Sequence, residues 1–114
     1  MDFGCLYQGY HADITRTVML GQPAAWQREL YNLVLEANRQ AESLIRAGVS
    51  GKVVDAAARD YIAGQGYGEQ FGHGLGHGVG LDIHEAPFMS RICQQDLASG
   101  CVITVEPGVY LPGQ

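Results

Sequence analysis

The sequence predicts an α+β fold in which strands come first and two helices follow. Aromatic and β-branched residues are frequent over residues 2–19, two later stretches repeat apolar residues at spacings of three and four, and residues 101–110 form an apolar run. The spacing of three and four indicates amphipathic helices, and the other two patterns indicate strands. Strands and helices grouped apart along a chain of 114 residues are typical of one small α+β domain.

The first element is predicted to be a hairpin. Gln8 and Gly9 interrupt the strand-like residues near their middle, which indicates two strands joined by a tight turn. Asp2 and Asp13 flank this turn. If the turn centres on Tyr7 and Gln8, the two aspartates lie directly opposite each other.

Two amphipathic helices are predicted next. Pro23 is expected in the first turn of a long helix and Gly48 past its end. Its apolar face is formed by Trp26, Leu30, Leu33, Val34, Ala37, Ala41, Leu44 and Ile45. A second helix is expected from Ser50 to about Ala63, before a group of glycines. Its apolar positions are Val53, Val54, Ala57 and Tyr61.

The composition excludes several classes of partner. Hydrophobic residues make up 46% and charged residues 17% of the chain, as in ordinary globular proteins. The net charge is −5 and the seven basic residues are scattered, so nucleic acid is not an expected partner. No apolar run approaches the roughly 18 residues of a membrane span, and the start lacks signal-peptide features. We therefore predict a cytoplasmic protein without a membrane partner.

The glycine-histidine segment, residues 71–87 with the sequence FGHGLGHGVGLDIHEAP, holds three of the four histidines: His73, His77 and His84. Imidazole is a common metal ligand and proton carrier, and flanking glycines allow a substrate to approach the backbone closely. The first two histidines would share one side of a strand and the third would not. If all three line one pocket, a bend is expected at Gly78 or Gly80. Taken singly, each histidine is also compatible with a structural role.

Carboxylates form a second set of candidates. Opposed Asp2 and Asp13 would have Cβ atoms about 4.5 to 5.5 Å apart and would repel each other unless a cation lay between them. The alternatives are exposure to solvent or an ion pair between Asp13 and Arg16. Glu106, at the end of the apolar run, needs a partner if it is buried, or reaches water from an edge position. His11, alone in the hairpin, is expected to be structural or exposed.

These donors indicate a catalytic metal centre. Carboxylates and imidazole without thiolate favour a hard or borderline metal over a cysteine-rich structural zinc site. Carboxylates placed to bridge suggest two ions about 3.5 to 4 Å apart that activate water for hydrolysis. Manganese, cobalt, zinc and iron all suit such ligands.

Three stretches, in this order, carry a family resemblance: DFGCLYQGYHADITRT, HGLGHGVGLDIHE and ITVEPGVY. Together they resemble the pita-bread-fold metallopeptidases, the family of methionyl aminopeptidase, aminopeptidase P and Xaa-Pro dipeptidase. The resemblance covers nearly the whole chain. It implies part of a pita-bread fold, with a curved antiparallel sheet and two helices packed on its outer face.

The resemblance also implies a set of metal ligands. Asp2 matches a ligand of one ion, and Asp13 matches the bridge between two. His77 and Glu106 match ligands of the other ion, and Glu106 matches the catalytic residue that handles the proton of the attacking water. Two divalent ions are therefore the expected cofactors, with manganese favoured.

The remaining site residues, His73 and His84, match catalytic histidines that bind the peptide and stabilise charge on its carbonyl oxygen. A histidine four residues before the ligand His77, and DITRT after the bridging aspartate, resemble the Xaa-Pro branch. The implied substrate is a peptide or dipeptide with proline after the scissile bond. The alternatives are a methionyl aminopeptidase or a non-catalytic binding module of the same fold.

The family pattern extends beyond this chain. A fifth ligand, a glutamate downstream of Glu-Pro-Gly, has no counterpart before Gln114, nor does the family's segment before Asp2. We therefore expect residues 1–114 to be a partial catalytic domain truncated at both ends, whose activity alone is open. The sequence also leaves open whether the protein forms a homo-oligomer.

Overall fold

The chain begins with an antiparallel hairpin, as predicted. The structure is a computed structural model that describes residues 1–113. Strand β1, Asp2–Tyr7, pairs with β2, Tyr10–Thr15. The turn residues Gln8 and Gly9 have φ values of 51° and 86°. Two successive positive φ angles are typical of the tight turns whose twist suits a two-residue hairpin.

The register of this hairpin corrects the predicted aspartate pair. Asp2 faces Thr15, and Asp13 faces Gly4. The direct opposition of Asp2 and Asp13 is therefore wrong, because the turn centres between Gln8 and Gly9 and shifts the pairing by two residues. Both aspartates still share one face of the ladder, as diagonal neighbours for which about 7 to 8 Å is usual.

Helix α1 spans Ala25–Leu44 and α2 spans Gly51–Gly64. Pro23 lies before the first turn of α1 and not in it, since the cap is Ala24, whose amide donates to Gln27 Oε1 at 2.8 Å. Ser50 caps α2 by accepting a hydrogen bond from the amide of Val53. Within residues 1–113, neither helix is long and apolar enough to cross a membrane.

The core lies between the two helices and the second half of the chain. Its buried residues are Ala37, Ala41, Val54, Ala58, Ile62, Phe71, Leu75, Met89 and Leu97. The predicted faces of the helices differ from the observed ones at particular positions. Trp26 on α1 is 46% exposed and Val53 on α2 is 52% exposed. On α2 the buried face instead includes Asp55 and Arg59.

The glycine-histidine segment contains strand β3, Gly76–Gly78, and the first residues of strand β4, Glu85–Met89. They pair antiparallel with an irregular register, so the chain reverses between them and the bend expected after His77 is present. The two sheets are separate ladders, joined by the His11 amide donating to the Gly80 carbonyl at 2.8 Å. The α+β class is confirmed.

The apolar run at residues 101–110 is extended, but the predicted regular strand is wrong. Amides of Thr104 and Glu106 donate to the carbonyls of His77 and Leu75, both at 2.8 Å, as in an antiparallel ladder. The reciprocal bond is missing because the His77 amide donates to the Thr104 hydroxyl at 3.0 Å. A side chain therefore replaces a main-chain carbonyl and interrupts the ladder.

Candidate metal centre and active site

Four of the predicted site residues converge where the hairpin meets the glycine-histidine segment. Donor atoms of Asp13, His77 and His84 lie within 4.8 Å of one another. The rings of His77 and His84 are 4.4 Å apart between centroids, at an interplanar angle of 70°. Glu106 adds Oε1 at 3.1 Å from His77 Nε2. The bend between β3 and β4 is what brings the two histidines together.

The hydrogen bonding of His77 tests whether this cluster fits a metal. His77 Nδ1 lies 2.9 Å from the Gly78 carbonyl, which can only accept, so Nδ1 carries the hydrogen. Nε2 of the neutral ring then directs a lone pair toward Asp13 Oδ2 at 3.5 Å and Glu106 Oε1 at 3.1 Å. Three acceptors facing one another require a proton or a cation between them. Oxygen and imidazole donors, with the second ring nitrogen bonded to a carbonyl, fit a divalent metal.

Thr104 links two members of this cluster and was not predicted from the sequence. Its hydroxyl donates to Glu106 Oε1 at 2.6 Å and accepts from the His77 amide at 3.0 Å. The signal available in the sequence was spacing, since residues two apart on an extended chain point to the same side. Thr104 therefore fixes the carboxylate relative to the backbone that carries the imidazole.

The structure distinguishes the alternatives for Asp2 and Asp13, which were exposure to solvent, an ion pair with Arg16 or a place beside a cation. Arg16 Nη1 donates to the Thr15 carbonyl at 2.8 Å, and the nitrogen that approaches the Asp13 carboxylate is instead His77 Nε2, at 3.5 Å. Asp2 is exposed and is not among the three residues whose donor atoms group together within residues 1–113. It lies on the same face of the hairpin as Asp13, two positions away along the ladder.

His73 lies apart from the metal-binding donors. Its Nδ1 donates to the Gly74 carbonyl at 2.7 Å, which leaves Nε2 of the neutral ring to accept from the Tyr110 hydroxyl at 2.9 Å. The ring also meets the edge of Phe71, with centroids 5.1 Å apart. His73 is thus oriented by neighbouring groups without contacting the cluster around His77.

The pKa of the Tyr110 phenol is raised at this site. Burial raises the pKa of its phenol, and the negative charges of Glu106 and Asp2 raise it further. The hydroxyl therefore stays protonated near neutral pH and can donate to His73. Tyr110 was not predicted as a site residue, because its partner is 37 positions away in the sequence.

An open cleft of about 600 Å³ lies beside His73. Its lining includes Phe71, His73, Ser90 and Arg91. Ligand pockets commonly have volumes of about 300 to 1,000 Å³, so the cleft has room for a short peptide. Its combination of aromatic, hydroxyl and cationic side chains suits a ligand with both apolar and charged parts.

Comparison with known proteins places this arrangement in a family. Metallopeptidase family M24 matches residues 1–114. A Xaa-Pro dipeptidase of Pyrococcus horikoshii is 49% identical over 112 residues, which make up 98% of this chain and 32% of that protein.

Solved structures agree with the sequence match. An X-Pro aminopeptidase from Thermotoga maritima superposes with a TM-score of 0.96 at 49% identity, covering 99% of this chain and 32% of the other. For the prolidase from Pyrococcus furiosus the TM-score is 0.95 at 49% identity, with 97% and 33% covered. The chain thus spans about a third of the length of these relatives, and the predicted part of a pita-bread fold is confirmed. It belongs to metallopeptidase family M24, and within that family it resembles the Xaa-Pro dipeptidases and X-Pro aminopeptidases.

Proposed function

We propose that the protein is a metal-dependent peptidase that hydrolyses the Xaa-Pro bond of dipeptides or of peptide N-termini. The observation that carries the proposal is the convergence of acceptor atoms from Asp13, His77 and Glu106. The named activities of the M24 relatives support this substrate class. Because the chain spans about a third of those relatives, we propose that residues 1–114 are part of a larger catalytic domain.

Different residues of this chain are proposed to bind the metal ions and to accept the proton. Asp2, Asp13, His77 and Glu106 would hold two divalent ions. When bound, such ions supply the Lewis acidity that activates water for amide hydrolysis. Glu106 accepts the proton of the attacking water, and the Thr104 hydroxyl at 2.6 Å orients its carboxylate for that transfer.

Two histidines act on the peptide. His84, exposed and packed against the His77 ring, is placed to donate to the carbonyl oxygen of the scissile bond as negative charge develops there. His73 faces the cleft and binds the peptide backbone once Tyr110 releases its Nε2. Manganese as the metal and a cytoplasmic location stay predictions from the sequence, and the oligomeric state stays open.

The test uses the protein expressed from its complete coding sequence. Hydrolysis of Ala-Pro and Ala-Ala is compared in the presence of manganese, for the unaltered protein and for Asp13→Ala and His77→Ala. We expect Ala-Pro to be preferred and both variants to lose activity, because each removes a donor that converges on the cluster. Asp60→Ala is the matched control, since Asp60 is exposed on α2. Full activity in both site variants would rule out the proposal.

The alternatives give different outcomes in the same assay. Preference for a Met-Ala peptide over Ala-Pro identifies a methionyl aminopeptidase. Absence of hydrolysis together with absence of bound metal, after purification without chelators, identifies a binding module.

A further inference from the structure

A buried ion pair lies on the face of α2 that meets the glycine-histidine segment. Asp55 is 1% exposed and Arg59 is 8% exposed. Arg59 Nε and Nη2 donate to the two carboxylate oxygens of Asp55 at 2.7 and 2.8 Å, a bidentate geometry. The pair lies one helical turn apart and outside the metal-binding cluster, and Arg59 also lines the cleft beside His73.

The other hydrogen bonds of the pair all go to the backbone that carries His73. Arg59 Nη1 donates to the Phe71 carbonyl at 2.9 Å, and Nη2 donates to the His73 carbonyl at 2.6 Å. Asp55 Oδ1 accepts from the Leu75 amide at 3.0 Å. Main-chain groups of alternate residues, Phe71, His73 and Leu75, are therefore hydrogen-bonded as they would be to a neighbouring strand. Here two side chains of α2 take that place, because the helix backbone is already bonded within itself.

Arg59 also holds the aromatic neighbour of His73. Its guanidinium carbon lies 4.2 Å from the centroid of the Phe71 ring, over the ring face. The same phenyl ring meets His73 edge to face at 5.1 Å. The arginine thus acts on His73 through the carbonyl of His73 itself and through the ring of Phe71.

Stability alone is a poor reason for this arrangement. Removing two charges from water costs several kcal/mol per ion, and apolar replacements of a buried pair are often neutral or stabilising. What an apolar pair cannot supply is three directed hydrogen bonds to residues 71–75, which have no regular secondary structure. We propose that Asp55 and Arg59 are positioning residues that set the orientation of His73 toward the substrate cleft. This inference rests on the proposed role of His73 in substrate binding.

The metal-binding donors are held by other contacts. Asp13 lies on β2, His77 on β3, and Glu106 is bonded to Thr104. None of these three side chains is hydrogen-bonded to Asp55 or Arg59 among the described contacts. Loss of the ion pair should therefore weaken substrate binding more than metal binding, and that separation distinguishes positioning from general stabilisation.

The experiment compares Arg59→Lys and the double variant Asp55→Leu/Arg59→Met with the unaltered protein, each from the complete coding sequence. Lysine keeps the charge, but its single nitrogen cannot replace the four hydrogen bonds that three nitrogens of Arg59 donate to Asp55 and to both carbonyls. The double variant removes both charges together. The matched control is Lys52→Met/Asp60→Leu, which removes an exposed charge pair from the same helix. Measurements are KM and kcat for Ala-Pro, manganese affinity by calorimetry, and melting temperature.

We expect KM for Ala-Pro to rise roughly 10-fold or more in both variants, as for a displaced binding group, while manganese affinity stays within about 3-fold. An unchanged KM in a folded Arg59→Lys protein overturns the proposal. The proposal is also overturned if manganese affinity falls by the same factor as KM rises and the melting temperature falls as well. If the double variant does not fold, Arg59→Lys decides alone.

The inference can also fail separately from the proposed function. If the unaltered protein does not hydrolyse Ala-Pro, the proposed function fails. The His73 ring signals in NMR spectra then test positioning directly. A shift in Arg59→Lys but not in the control supports it, and unchanged signals overturn it.

Discussion

The two regions that form the site are held very differently. The hairpin carries Asp13, yet every residue of β1 is exposed, and within residues 1–113 one main-chain hydrogen bond joins it to the rest of the fold. The glycine-histidine segment has buried Phe71 and Leu75 at its start and is bonded on one edge to α2 and on the other to residues 101–110. Within residues 1–113, one half of the site is therefore held by packing, and the other makes few contacts with the rest of the fold.

If the proposed ions bind, this difference gives them a second role. A region with few buried contacts opens locally at low free energy. Ligands from both regions would tie the hairpin to the packed half, so metal binding should stabilise the hairpin more than the segment.

The largest expected effect comes from adding a methyl group to matched glycines. A Cβ at Gly76 would lie 2.1 Å from the Thr104 carbonyl oxygen, and one at Gly4 would lie 2.0 Å from the Ala12 carbonyl oxygen. Gly76→Ala should lower the free energy of unfolding by about 3 kcal/mol or more, because its surroundings are packed. Gly4→Ala should cost about 1 kcal/mol, since the exposed hairpin can shift. Urea denaturation measures both, and equal losses would contradict the comparison.

Metal binding should protect the hairpin from hydrogen exchange. At manganese concentrations about 100 times the dissociation constant, linkage allows up to about 2.7 kcal/mol of stabilisation, or roughly 100-fold slower exchange of β2 amides. Amides of α2 should change less. Exchange measured by NMR with and without manganese tests this, with Asp13→Ala as the control that should show no protection.

Removing the Thr104 hydroxyl should weaken manganese binding about 10- to 100-fold, as is usual for groups that orient ligands. Thr104→Val keeps the shape of the side chain but loses the bonds to Glu106 and to the His77 amide. Thr104→Ser keeps the hydroxyl and should bind nearly as the unaltered protein does. Calorimetry on the two variants decides, and equal affinities would exclude the orienting role.

The smallest expected effect concerns Tyr110. Its pKa is raised above 10.0, first by burial and then by Glu106 and Asp2. The folded chain therefore holds the phenol proton at pH values where the unfolded chain has lost it, so stability falls as pH rises above about 10. Tyrosine absorbance is titrated against pH for the protein and for Tyr110→Phe. The difference between the two curves should show a phenol that ionises at higher pH than free tyrosine. Ionisation at the ordinary pH would contradict the partial desolvation of this hydroxyl.

Local chemistry made much of the fold predictable. Ser50 and the glycines that follow α2 are helix boundary signals, and the Gln8-Gly9 turn produces the hairpin with few alternatives. The hairpin register was missed because a shift of the turn centre by one residue moves every pairing by two. Asp55 and Arg59 were missed because charged residues on a helix usually face water, although opposite charges four residues apart were visible in the sequence.

The site was predictable as a set of residues but not as a geometry. The resemblance named Asp13, His77 and Glu106, and the structure brings them together. The contacts of Thr104 with the His77 amide and of Tyr110 with His73 depend on how an extended segment lies against β3 and the loop before it. Such pairings between distant residues are not encoded by any local pattern.

The hydroxyl that replaces a carbonyl beside β3 has one more consequence. A carbonyl turns only with its whole peptide plane, whereas a hydroxyl turns about a single C–O bond. If Glu106 accepts the proton of the attacking water as proposed, the Thr104 hydroxyl can release the carboxylate by this rotation and bond to it again when the proton leaves, while the backbone stays still. Because a hydroxyl interrupts the ladder here, the Glu106 carboxylate has a hydrogen-bond donor that reorients by rotation about one bond.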